Sequence, residues 1–179
     1  MKKLFHYLFS RMIFQKLWQV LFYLSIKGMN YGYSDSPASS GEKWVISKLI
    51  KNKNLEKDQS INLVNVGANN GQYCDLFINQ MGSLFYKCHI YLFEPQERCI
   101  EILKNKYKKL PNIHVYGIGL GEKENEKLLY RETLGSVQAS FIKNPTLKNE
   151  MKTVVNISTL DIFCKEQSIE HLDLSLIHI

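Results

Sequence analysis

The sequence predicts an α/β fold built on a parallel sheet, and three observations predict it. A short apolar run (Ile61, Leu63, Val64, Val66) stops at a glycine loop, Gly67 to Gly71, which opens into a helix-like stretch. A second apolar run, His89 to Phe93, ends on a carboxylate, Glu94, 23 residues after Gly71. Beyond it, strand-like and helix-like segments keep alternating, which implies parallel strands and right-handed crossovers. A glycine loop at one strand tip and an acid at the next also form the layout of a nucleoside-binding site. Glycines let the backbone approach the ligand, a helix N-terminus faces its anionic end, and the acid accepts ribose hydroxyls.

Taken in order, residues 1–34 read as a basic, aromatic helical arm. They hold Lys2, Lys3, Arg11, Lys16 and Lys27 and no acid, whereas the remainder has 18 basic against 17 acidic residues. The arm therefore carries +5 of the net +6, and a basic body that would track nucleic acid is absent. The longest uncharged run, Leu17 to Ile26, is ten residues, against the roughly 20 needed to cross a bilayer. Arg11 and Lys16 interrupt what would be a signal-peptide core, and no small-x-small cleavage site follows before Gly28. Leu4, Leu8, Arg11, Gln15, Trp18 and Phe22 fall at helical spacings. Such a helix either packs on the domain with its lysines in water or makes peripheral membrane contact through residues 1–30.

Residues 35–60 form a linker and a lead-in helix. Tyr31 to Gly41 is rich in Gly, Ser and Pro, and Ser39 and Glu42 have capping-box spacing. A short helix is expected over Glu42 to Lys51, with Trp44, Val45, Ile46 and Leu49 toward the core, before a polar loop to Ser60.

From residue 61 the elements follow as strand Ile61 to Val66, helix Gln72 to Met81 closed by Gly82, and strand His89 to Phe93. A helix from Pro95, suited to a first turn, runs toward Lys109 with Ile100, Leu103 and Tyr107 buried. Pro111-Asn112 breaks it before strand Ile113 to Ile118. Lys127 to Arg131 and Thr153 to Ile157 are expected strands around a polar loop containing Ser136, Ser140 and Pro145. Ser158-Thr159-Leu160-Asp161 starts a helix to about Gln167, and Leu172 to Ile179 is a final apolar strand. Cys74, Cys88, Cys99 and Cys164 show no paired spacing and read as reduced core residues of a cytosolic protein rather than redox or metal ligands. No spaced His/Cys/Asp cluster suggests a metal.

Four segments, Val66-Gly67-Ala68-Asn69-Asn70-Gly71-Gln72-Tyr73, Phe93-Glu94-Pro95, Gly119-Leu120-Gly121-Glu122 and Ser158-Thr159-Leu160-Asp161-Ile162, occur in order at sensible distances. Together they resemble the FkbM-like family of S-adenosylmethionine-dependent methyltransferases over roughly residues 40–175, and Ser40-Gly41-Glu42-Lys43-Trp44 resembles its lead-in helix. The resemblance implies a Rossmann-like class I methyltransferase sheet over residues 61–179, its first four strands plus an inserted hairpin, with helices on both faces. It implies S-adenosyl-L-methionine as cofactor, bound by Asn65, Gly67, Ala68, Asn69, Gly71, Gln72 and Glu94. The cofactor's carboxylate would meet the loop and helix N-terminus, and Glu94 the ribose hydroxyls. It also implies O-methylation of a hydroxyl on a sugar, glycan or other small metabolite. A cytoplasmic location follows, at the inner membrane face if the arm binds lipid.

Two features depart from the family pattern. Asn65 stands where an acid is usual, which keeps hydrogen bonding but loses charge toward the cofactor's ammonium group. After His171-Leu172-Asp173-Leu174, Leu176 and His178 replace the usual Lys and Asp, and a C-terminally truncated reading frame is expected, with Ser175 to Ile179 not native. Such a fragment would expose an apolar sheet edge and be poorly soluble and catalytically weak. No catalytic base is assigned: His89 and His114 begin strands, opposite the ligand-binding end, and His171 has nothing further to recommend it. A NAD-dependent oxidoreductase is the rival, disfavoured because Ala68-Asn69 replaces the central glycine of a dinucleotide fingerprint. A non-catalytic, membrane-associated binding fragment is the third reading.

Overall fold

The computed structural model describes residues 12–29, 42–52, 60–134, 139–143 and 151–177. Ser39 of the expected capping box, Arg11 with the start of the arm, Ser136, Pro145 and His178 lie outside the described residues. The chain divides into two units, residues 1–45 and 46–179.

The first unit contains α1, Met12–Gly28, and the opening turn of α2, Glu42–Asn52. Leu17, Val20, Leu21, Phe22 and Leu24 of α1 are exposed, as are Trp44 and Val45, which were expected in the core. Among the described residues no helix is long and apolar enough to cross a membrane.

The second unit is a Rossmann-like α/β domain. Its elements are β1 (Ile61–Val66), α3 (Gln72–Met81), a 3-10 helix (Gly82–Lys87), β2 (Cys88–Phe93), α4 (Glu97–Tyr107) and β3 (Ile113–Tyr116). They continue with β4 (Gly119–Leu120), β5 (Asn125–Arg131), β6 (Met151–Ser158), α5 (Leu160–Glu166) and β7 (Leu174–Ile177). The main sheet has the order β3-β2-β1-β7, all parallel, with Ile61 beside Cys88, Ile90 beside Ile113 and Leu63 beside Leu174. A second sheet, β4-β6-β5, is the expected hairpin, Leu128 beside Val154, with β4 added in parallel.

The sequence explains the layers. Strands buried on both sides read as near-continuous apolar runs, and β1 and β2 do. Ile61, Leu63, Ile90 and Leu92 pack with Ile46 of α2, Phe77 and Met81 of α3, and Leu103 and Tyr107 of α4. Val64, Tyr91 and Phe93 turn to the other face and meet Phe163 of α5. Phe163 stands edge-on to Phe93 and Tyr116, with ring centroids 4.7 and 4.8 Å away. Thr159 caps α5 by accepting from Ile162 N at 3.1 Å. Because β2 and β3 lie on one side of β1 and β7 on the other, the chain reverses direction at β1. Ligands of open α/β sheets bind at such a reversal, beyond the strand C-termini.

Two local expectations are corrected. Pro95 is not in a helix: the Gln96 N–H donates to the Glu94 carboxylate at 2.9 Å, and α4 begins only at Glu97. The strand expected over Ile113 to Ile118 stops at Tyr116, and Gly119 pairs with Ile157 in the other sheet. Residues 82–87, without apolar periodicity, form the 3-10 helix. Cys74, Cys88 and Cys99 are buried free thiols and Cys164 is half-buried.

β7 is held to β1 at its start by paired contacts. Asn62 N donates to Asp173 Oδ2 at 2.9 Å, Asp173 N returns a bond to Asn62 O at 2.9 Å, and Asn62 Nδ2 reaches His171 O at 3.2 Å.

Candidate functional site

The loop after β1 is shaped by backbone conformations that few residues tolerate. Gly67, Asn69 and Gly71 all have positive φ, at 76°, 46° and 82°. Glycine accepts this without a Cβ penalty, and Asn is the side chain that tolerates it best. At Gly71 the space is closed as well: an added Cβ would collide with the Tyr107 hydroxyl and come within 3.0 Å of Leu103 Cδ2. That hydroxyl is 2.9 Å from Gly71 O and 2.8 Å from Asp75 Oδ1, so α4 holds the start of α3. Lys106 adds a bond to Asn70 O at 3.0 Å and a close ion pair with Asp75. Burial is the first cause that raises the Tyr107 pKa, so this phenol stays protonated.

The loop then folds over the end of β2. Gly67 N and Ala68 N both donate to Phe93 O, at 2.9 and 3.1 Å. Asn69 N donates to Glu94 Oε2 at 2.8 Å, while Gln96 N occupies Oε1. Glu94 is 3% exposed. Burial raises its pKa, and the Gln96 and Asn69 N–H groups, with the Gln96 side chain, act in the opposite direction. An ionised carboxylate offers about four lone-pair sites, so the two backbone bonds and the Gln96 side-chain bond leave one open.

Gly67, Asn69 and Glu94 line one cavity of about 420 Å³, with Val66, Phe93 and Ile177 at the tips of β1, β2 and β7. Its outer wall is Leu129 of β5 and residues 139–142, held by a two-way backbone pairing of Tyr130 with Ser140 at 2.8 and 2.9 Å. The volume suits a nucleoside-sized ligand, and an apolar wall with few polar groups is the usual lining of such sites. The Gly67 bend and the Glu94 carboxyl thus face the same space, as one ligand bridging them requires.

The other residues expected at the site lie around this cavity rather than in it. Ala68 is buried in the core under the loop, Gly71 sits beneath Tyr107, and Gln72 is the exposed first residue of α3. Asn65 is 5% exposed, and neither of its amide atoms has a hydrogen-bond partner. It lines a separate apolar space of about 30 Å³ with Ile46, Tyr73 and Leu176. The sequence reading missed the contributions of Gln96 N, Leu129, Ile177 and residues 139–142. Leu129 alone left a signal, through strand alternation in β5.

His89 and His114 stack 5.9 Å apart at the far end of the sheet, and burial, then His89, lowers the His114 pKa. Among the described residues no group of three His, Cys, Asp or Glu side chains is placed to hold a metal ion.

No family model matches the chain, and no curated protein matches it. Among solved structures it is similar to the methyltransferase FkbM of Methylobacillus flagellatus KT, at 19% identity and a TM-score of 0.36. That match takes in 59% of this chain and 23% of that one, so the chain spans about a quarter of its length. At this score the likeness carries no weight for function.

Proposed function

We propose that residues 46–177 bind S-adenosyl-L-methionine and belong to a methyltransferase acting on a hydroxyl of a sugar, glycan or other small metabolite. The observation that carries this reading is the pair Asn69 N and Glu94 Oε2. Their 2.8 Å bond fixes a strand-tip carboxylate against a glycine loop on one cavity of about 420 Å³. The residues fit the group. Glu94 keeps an acceptor position for a ribose hydroxyl, and the left-handed Gly67 leaves the loop edge without a side chain where the amino-acid tail would lie.

When bound, the cofactor supplies an electrophilic methyl group. The chain's own residues position it. Glu94 orients the sugar, the side-chain-free loop edge at Gly67 leaves room for the anionic tail, and Phe93, Leu129 and Phe141 keep water from the adenosyl face. A NAD-type oxidoreductase is less well supported. Ala68 takes the place of the glycine that lets a pyrophosphate approach, and it is buried in the core. The arm, with its exposed apolar residues and a sequence of five basic residues and no acid, is proposed to touch a membrane surface at the cytoplasmic face.

Thermal unfolding with S-adenosylmethionine, S-adenosylhomocysteine or NAD added in turn tests the reading. The two adenosyl compounds are expected to raise the midpoint and NAD to leave it unchanged. A rise with NAD alone, or with none of the three, would overturn it.

A further inference from the structure

Arg131 ends β5, is 8% exposed, and its Nε has no hydrogen-bond partner. Among the described residues no ion pair reaches it. A guanidinium stays charged at any physiological pH, and burying one without a counter-charge is unfavourable. Such a group is retained where something outside the fold completes it.

Strand alternation locates it. Arg131 shares its face with Leu129, which walls the 420 Å³ cavity. Met151, opposite Arg131 in the hairpin register, and Glu132, next to it, line a neighbouring open cleft of about 600 Å³. The other wall of this cleft is α4, through Arg98, Cys99 and Ile102, and its floor is Asn69-Asn70. Asn69 belongs to both spaces, so the cleft opens beside the proposed cofactor cavity. The Cys99 thiol reports the charges around it. Burial and Glu94 push it up to about 11, while Arg98 and Arg131 both act to lower it. Arg98 and Glu132 line this space, and Arg131, beside Glu132 and opposite Met151, stands at its edge with no described carboxylate paired to it.

We propose that this cleft takes an oxyanion, carboxylate or phosphate, carried by the acceptor molecule, held by the Arg131 fork with Arg98 at the mouth. The proposal rests on the methyltransferase reading and narrows its substrate to an anionic one. Arginine is the side chain suited to this task, because its planar fork offers two parallel N–H bonds to such a group.

The test uses the full chain in calorimetric titrations with inorganic phosphate and, separately, acetate, with chloride holding ionic strength constant. Saturable binding of at least one is expected, and the one that binds tells phosphate from carboxylate. Arg131→Met is expected to weaken it by at least about tenfold, and Arg98→Gln by a few-fold. If Arg131→Met does not fold, Arg131→Lys keeps the charge without the fork and is expected to bind several-fold more weakly. No binding beyond chloride, or equal binding by the wild type and all folded variants, overturns the proposal. S-adenosylmethionine is titrated into the same samples. Its binding without oxyanion binding sinks only the subsite, whereas oxyanion binding without it sinks the methyltransferase reading.

Discussion

Asn69 N lies 2.8 Å from Glu94 Oε2, a backbone donor closing on a carboxylate 25 residues further along the chain. Replacing that oxygen by an amide nitrogen would set donor against donor. Glu94→Gln is therefore expected to lose both a loop contact and the charge offered to a ligand's hydroxyls. Affinity for S-adenosylmethionine should fall by about 2 kcal/mol, roughly 30-fold. Calorimetric titration measures it, and an unchanged dissociation constant would remove Glu94 from the site.

The same carboxylate sets a pH dependence. Burial raises its folded pKa above the unfolded value. Its contribution to stability is thus fully present below the unfolded pKa and is lost as pH rises through the folded one. Glu94→Gln has no such loss, so its stability relative to wild type should improve across that interval. Ligand hydroxyls favour the ionised form, so cofactor affinity should fall as pH drops through the folded pKa and stay flat in Glu94→Gln. Denaturant titrations and binding isotherms from neutral to mildly acidic pH read both trends.

Gly71 and Gly82 form an internal comparison. Both have positive φ, but an added Cβ meets the Tyr107 hydroxyl at Gly71 and nothing within 4 Å at Gly82. Gly82→Ala is expected to cost about 1 kcal/mol, the conformational penalty alone, and Gly71→Ala about 3 kcal/mol. Tyr107→Phe should recover part of the Gly71→Ala loss, giving a coupling of at least about 0.5 kcal/mol in urea unfolding. Equal costs at the two glycines would contradict this packing.

Asn65 offers the opposite pattern, a residue kept at a cost to the fold. Its buried, unpartnered amide is unfavourable, and an apolar side chain of similar size removes the penalty. Asn65→Leu should stabilise the free protein by about 1 kcal/mol and leave S-adenosylmethionine affinity unchanged, because Asn65 lines the separate space of about 30 Å³. Weakened binding in the stabilised variant would put Asn65 in contact with the cofactor after all.

The sequence carried the local half of the site. Ile61–Val66, Gln72–Met81 and the end of β2 on Phe93 follow from apolar runs broken by glycine, and these signals are written within a few residues. Glu94 was legible for the same reason. What was not legible depends on partners distant in the chain. The start of α4 is set by Glu94 drawing in the Gln96 N–H, which overrides the first-turn preference of Pro95. The split of β3 from β4 answers to Ile157, 38 residues beyond Gly119. Asn65 matched its motif position, yet its pleat turns it toward α3 and away from the larger cavity. Arg131 reads in sequence as an ordinary hairpin charge, and only its burial distinguishes it.

The clasp between Asn62 and Asp173 bears on the order in which the domain assembles. Strands β1 to β3 join through neighbouring crossovers, whereas Asn62 and Asp173 stand 111 positions apart. Closing so long a segment costs more entropy, so nucleation should favour the β1–β3 half and β7 should dock afterwards. During synthesis the glycine bend and its carboxylate would then be in place before Ile177 arrives. A nascent chain paused ahead of Asp173 would hold a half-built cradle, able to meet a sugar but open on the side where the third strand tip belongs.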